Sequence, residues 1–123
     1  MSQQPSDWVS WIIEAKYEPS NEATLEEMAK EMTSYFLANE SQTTHFEWSV
    51  NSEKGQLILH ERYANSQAGL THIETFSGKF GERFSALVQP KRVVVFGHPS
   101  EELMGVLSGM SPEILHYLAG FSR

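Results

Sequence analysis

Hydrophobic and polar positions along this chain follow two periods, and the switches between them mark out the elements. Trp8 to Tyr17 is dense in Trp, Ile, Val and Tyr and predicts a first strand, closed by Pro19, Ser20 and Asn21. From about Glu22 to Ala38 the period becomes helical. Leu25, Met28, Met32 and Tyr35 form one stripe, with Ala29 and Phe36 beside it. Thr24 and Glu27 have capping-box spacing, Glu22, Glu26 and Glu27 suit the positive end of a helix dipole, and Glu26 and Lys30 make an i,i+4 pair. Thr43 to Val50 and Gln56 to Ala64 predict two strands joined as a hairpin across the turn-rich Asn51 to Gly55. Asn65 or Ser66 caps a second helix from about Gln67 to Phe76, and Gly78 and Gly81 break it before a second piece ending near Val88. Lys91 to His98 is a fourth strand, apolar on both faces at Val93, Val94, Val95 and Phe96. Ser100 to Met110 predicts a short helix, while Ser111 to Arg123 fits either a helix or an extended segment.

The order strand, helix, hairpin, helix, strand predicts an α+β domain. Its four-stranded antiparallel sheet carries both helices on one face, with an extra helix or strand at the C-terminal end. Such a sheet leaves its other face bare, yet the fourth strand reads as covered on both sides. A second copy of the sheet is the simplest cover, so a homodimer is expected.

The hairpin register separates two faces. Pairing Val50 with Leu57 sets Trp48 against Leu59, Phe46 against Glu61 and Thr44 against Tyr63. Phe46, Trp48, Val50, Leu57 and Leu59 then share a face with Glu61 and Tyr63 at its end. His45, Glu47, Ser49, Ile58, His60 and Arg62 occupy the other. The apolar set is expected to meet the helices and the polar set the partner or solvent. Glu61 is the anomaly, because a carboxylate on an apolar face needs a hydrogen-bond partner, a raised pKa or a wet pocket.

Composition narrows the function classes. The 123 residues fit one domain spanning 1–123, small enough for shared burial with a partner to matter. A net charge of −7 with nine scattered Lys and Arg argues against a nucleic-acid partner. The absence of Cys excludes disulfides and thiolate chemistry and fits a cytoplasmic location. Met1 to Asp7 is polar without positive charge, and the apolar run after it is interrupted by Ser10 and Glu14. Neither a signal peptide nor a membrane span is expected.

The stretch His60-Glu61-Arg62-Tyr63-Ala64-Asn65-Ser66-Gln67-Ala68, followed by His72, resembles the antibiotic-biosynthesis monooxygenase family. Val93 to His98, Pro99-Ser100-Glu101 and the closing Leu118 to Arg123 look like uncharacterised members of the same superfamily. The resemblance implies a ferredoxin-like fold, a homodimeric α/β barrel, and a cleft between each sheet and its own helices. It also implies oxidation of aromatic or quinol substrates by O2 without a bound cofactor, or haem degradation in one branch. That branch uses an Asn on strand one and a His late in the second helix. Trp8 to Tyr17 contains no Asn and Phe76 to Val88 no His, which speaks against haem.

Glu61, Tyr63 and His72 are the candidate catalytic residues, able to converge as acid, base and hydrogen-bonding groups. Trp11, Ile13, Phe46, Trp48, Leu59, Phe76, Phe80 and Phe84 are the candidate ligand-binding residues of an apolar cavity, on which they converge if they do not simply fill the core. His45, Glu47, His60 and Arg62 read as an interface network rather than a metal site, since no His-x-His or His-Glu-x-x-His spacing occurs. The expected partners are a second copy and an apolar or aromatic small molecule, with no cofactor, metal, nucleic acid or membrane. The alternatives are a non-catalytic binder of an apolar ligand such as a fatty acid, and a structural dimer with a filled cleft.

Overall fold

The computed structural model describes residues 7–123, so the polar N-terminal stretch lies almost wholly outside the described residues. The elements run β1 (Val9–Lys16), a 3-10 turn (Pro19–Asn21), α1 (Glu22–Asn39), β2 (Thr43–Asn51), β3 (Gln56–Tyr63), α2 (Ser66–Lys79), α3 (Gly81–Leu87), β4 (Gln89–Gly97), α4 (Glu101–Leu107), a second 3-10 turn (Ser108–Met110) and β5 (Glu113–His116). The sheet has five strands in the order β2-β3-β1-β4-β5. All pairs are antiparallel except β4 with β5.

This corrects the expected four-stranded antiparallel sheet. The added strand is Glu113–His116 from the ambiguous tail. It joins β4 in parallel because α4 supplies the crossover that parallel neighbours need. Four residues with one partly buried apolar side chain carry too little alternation to read as a strand. The second helix is broken as expected, at Phe80 between Gly78 and Gly81, and α4 is the short helix expected after Pro99.

The expected α1 capping box does not form. The helix starts three residues earlier than that spacing requires, after the 3-10 turn, and its N-cap Asn21 makes no side-chain cap. Glu22 instead accepts a hydrogen bond from the Tyr17 hydroxyl, tying the end of β1 to the helix start. The Glu26–Lys30 pair is present at 2.8 Å. Leu25, Met28, Met32 and Phe36 bury the α1 stripe against the sheet.

The hairpin register is as expected at Phe46 with Glu61, Trp48 with Leu59 and Val50 with Leu57. A bulge near Thr44 shifts the last pair, so Tyr63 lies opposite Thr43. Leu57, Leu59, Glu61 and Tyr63 alternate with partly exposed neighbours and are buried under the helices. Val50, at the open end of that face, remains 47% exposed.

Across the central strand, Val9, Trp11, Ile13 and Ala15 extend the same buried face. The opposite face carries Ser10, Ile12 and Glu14 of β1 beside Phe96, Val94 and Arg92 of β4. Val94 is only 8% exposed within this single chain, flanked by Ile12 and by Glu113 of the fifth strand. Arg92 bonds both Glu14 and Glu113, lacing three strands on that face. Gly97 takes φ +95°, and a Cβ there would meet the Trp8 ring at 2.7 Å, so only glycine fits where β4 closes on Trp8.

Candidate functional site

The sheet, α2 and the α4 segment enclose a cavity of about 140 Å³. Trp11, Ile13 and Leu59 from the sheet form its floor, Phe46 and Phe84 its sides, and Ile73, Phe76 and Ser77 of α2 one wall. Met32 of α1 and Val106, Leu107 and Met110 of the α4 segment complete the lining. Glu61 and His72 are the ionisable groups that line it.

These two belong to a buried chain of hydrogen-bonding groups. Glu61 extends from β3 onto the helix-covered face, as the register requires, and is 3% exposed. The Tyr63 hydroxyl, two residues along the same face, donates to Glu61 Oε1. His72 descends from α2, whose N-terminus is set by Asn65 accepting from the Ala68 amide at 2.9 Å. Its Nε2 lies 3.1 Å from Glu61 Oε1, and its Nδ1 lies 2.9 Å from Glu40 Oε1. Glu40, the residue that ends α1, also accepts from the Thr43 hydroxyl at 2.7 Å. Rings of Phe36, Phe46, Tyr63 and Phe76 surround the imidazole at centroid distances of 4.2 to 6.4 Å.

The electrostatics follow from this geometry. Burial opposes charge on His72, but hydrogen bonds to Glu40 and Glu61 and the attraction of both carboxylates outweigh it, so its pKa is raised to about 9. Burial first, then the negative charge and hydrogen bond of Glu61, hold the Tyr63 hydroxyl well above its ordinary value. Below about pH 9 the imidazole carries a proton on both nitrogens, each facing a carboxyl oxygen, while the neutral Tyr63 phenol donates to Glu61. The Tyr63 hydrogen bond and the His72 ion pair both fall on Oε1, and among the described residues no hydrogen bond reaches Oε2. A carboxylate oxygen left free at the wall of an apolar cavity can accept a proton from a bound molecule.

All three candidate catalytic residues thus come together, although Tyr63 stands behind Glu61, at 0% exposure, rather than at the cavity mouth. Of the candidate ligand-binding residues, Trp11, Ile13, Phe46, Leu59, Phe76 and Phe84 line the cavity. Trp48 and Phe80 do not: Trp48 packs outside it against Phe46 and Phe84, and Phe80 packs into the core against Phe36 and Tyr35. Sequence reasoning missed Glu40, Met32, Ile73, Ser77 and the α4 residues. A polar residue at a helix end, and apolar residues on a helix whose position was unknown, give no local signal. On the open face the rings of His45 and His60 lie tilted to one another at 5.7 Å and His60 Nδ1 lies 3.8 Å from Glu47 Oε1. No three His, Asp or Glu side chains among the described residues are grouped to hold a metal ion.

No protein-family model and no curated protein sequence matches the chain. Solved structures do. The fold is that of ferredoxin-like α+β domains named as candidate antibiotic biosynthesis monooxygenases, such as one from Nitrosomonas europaea (TM-score 0.62, 16% identity, 78% of this chain and 94% of that one). Another, from Caulobacter crescentus CB15, has a TM-score of 0.58 at 19% identity over 73% of this chain and 86% of that one. The crystal structure of MupZ from Pseudomonas fluorescens matches over 95% of both chains, with a TM-score of 0.83 and 19% identity. At such identities the likeness is one of fold. No helix among the described residues is long and apolar enough to cross a membrane.

Proposed function

We propose that this chain is a cofactor-independent enzyme that removes a proton from an apolar or aromatic small molecule held in the sheet–helix cavity, as the first step of a monooxygenase reaction. The carrying observation is Glu61: a carboxylate in the wall of an apolar cavity, with one oxygen held by Tyr63 and His72 and the other without a hydrogen bond among the described residues. A substrate hydroxyl or activated C–H gives its proton to Glu61 Oε2. Nε2–H of His72 and the Tyr63 hydroxyl keep Oε1 fixed while that proton moves. The resulting electron-rich anion reduces O2. One oxygen atom stays on the substrate, and the other leaves as water with two hydrogens from the substrate. The names of the structural neighbours support oxygenation, and the size of the cavity supports a single-ring moiety at the reacting end. An apolar void of roughly 150 Å³ accommodates benzene.

Oxygen uptake with a panel of quinols and polyketide-like phenols tests this reading. Turnover is expected from the parent chain. Glu61→Gln combined with His72→Ala is expected to lower it by at least about 100-fold, the scale of general-base catalysis. Full turnover in that variant, or none in the parent across the panel, contradicts the reading. A ligand found by native mass spectrometry in a parent that turns nothing over would instead identify a binding protein.

The reading includes a homodimer formed through the open sheet face. Ile12 and Phe96 on that face are partly buried and Leu115 is exposed, as are Tyr117, Leu118 and Phe121 beyond β5. Sedimentation equilibrium at micromolar concentration is expected to give twice 14.0 kDa, and the monomer mass would count against pairing.

A further inference from the structure

Glu40 touches no part of the cavity, and its position is electrostatically poor three times over. It sits at the C-terminal end of α1, where the helix dipole disfavours negative charge. Its side chain is only 9% exposed. Its Oε2 is buried without a hydrogen-bond partner among the described residues, a cost of about 1–3 kcal/mol in general. The backbone nevertheless fixes it tightly. Its amide donates to the Phe36 carbonyl at 2.9 Å, and its own carbonyl accepts from the Thr43 amide at 3.2 Å. The Thr43 hydroxyl then sets the carboxylate so that Oε1 meets His72 Nδ1.

His72 has a carboxylate oxygen at each ring nitrogen. An ionised carboxylate only accepts, so satisfying both contacts requires a proton on both nitrogens. The groups facing the ring are Glu40 at the end of α1, Glu61 and Tyr63 on β3, Thr43 at the start of β2 through Glu40, and the uncharged rings of Phe36, Phe46 and Phe76. No cation other than His72 itself is paired with either carboxylate among the described residues.

We propose that Glu40 is a positioning residue of this site: by holding Nδ1–H it keeps His72 an imidazolium whose Nε2–H is committed to Glu61 Oε1, which keeps Oε2 of Glu61 free as the base. The role rests on the reading of Glu61 as the base. Without Glu40, the ring loses its second proton, Nε2 is no longer an obligatory donor, and Glu61 Oε1 loses its charged partner. The unfavourable placement of Glu40 is then the cost of fixing a protonation state 32 residues away along the chain.

The test is ¹⁵N NMR of the His72 ring in the full chain, with no substrate required. In the parent, both ring nitrogens are expected to carry protons at about pH 8, with the Nδ1 proton far downfield and a titration midpoint of about 9. Glu40→Gln keeps the shape and an acceptor but removes the charge, and its midpoint is expected to fall to roughly 7. A neutral single-tautomer ring at pH 8 in the parent overturns the proposal and needs no variant. An unmoved midpoint in a folded Glu40→Gln also overturns it. If the panel yields a substrate, the alkaline limb of kcat is expected to move down with the midpoint. A uniform loss of activity or of thermal stability with that limb unmoved would mean a structural clamp only. A panel without turnover sinks the base assignment to Glu61 but leaves the ring titration standing, so the two failures are distinguishable.

Discussion

Glu61 would be intolerable on its apolar face without His72, and His72 would be neutral at physiological pH without the two carboxylates. Their mutual dependence has a stability consequence whose sign is fixed. The folded-state pKa of His72, about 9, lies above its unfolded value. The stability from its proton is fully present below about pH 6.5, the unfolded value, and is lost as pH rises through about 9. Urea midpoints are expected to drop between about pH 6 and about pH 9.5, by an amount worth on the order of 2–3 kcal/mol. Tyr63 stays neutral throughout that window, since burial and Glu61 hold its pKa well above the ordinary value. His72→Gln is expected to abolish the slope and to cost about 3 kcal/mol at neutral pH, because it strands two buried carboxylates. A slope that survives in that variant would assign it to other groups. At this scale much of the site was legible. The hairpin register alone put Glu61 on the wrong face for a charge, and the His72 spacing put an imidazole within reach. Glu40 was not legible, because its partner is set by how α1 and α2 pack and not by any neighbour in sequence.

The elements that hold these residues differ in how firmly they are tied down. α2 is anchored by its Asn65 cap, and Gly69 lets it approach until a Cβ there would sit 3.3 Å from the Trp11 ring. α4, which closes the cavity with Val106 and Leu107, has seven residues and depends on its ends. Ser100 accepts from the Leu103 amide at 3.1 Å, and its own amide donates to the Ser66 hydroxyl at 2.9 Å, so one residue joins the N-termini of α4 and α2. Ser100→Ala is expected to cost about 1 kcal/mol, as for other lost N-caps. Hydrogen exchange should show faster exchange confined to the α4 amides, with β1 and β3 unchanged. Uniform acceleration across the sheet would mean that α4 does not open separately. The expected Ser100 start and the short length of this helix came from Pro99-Ser100-Glu101-Glu102. Its place over the cavity did not, because direction after β4 depends on the strain relieved at Gly97 and on β5 pairing beyond it.

At the scale of the whole molecule the sheet has two faces with different chemistry, and the pattern of apolar positions predicted which side the helices take. The apolar fourth strand predicts a covering partner, yet at Val94 the cover already comes from Ile12 and the fifth strand. The cavity, expected between sheet and helices generally, is confined to the end where Glu61 and His72 meet α4, since Phe80, Phe36 and Met28 fill the remainder. β1 sits at the centre of the sheet, with β3 on one side and β4 on the other, and Val9 pairs with both Tyr63 and Gly97. On a ribosome β1 emerges before either neighbour exists; β3 can cover one edge once Tyr63 has been made, but the other edge, along Val9, Trp11 and Ile13, stays unpaired until β4 is complete at Gly97. Loop closures this long are slow to form. Synthesis of this protein therefore exposes its stickiest strand longest, and β4, the last of the antiparallel strands to be translated, decides when that exposure ends.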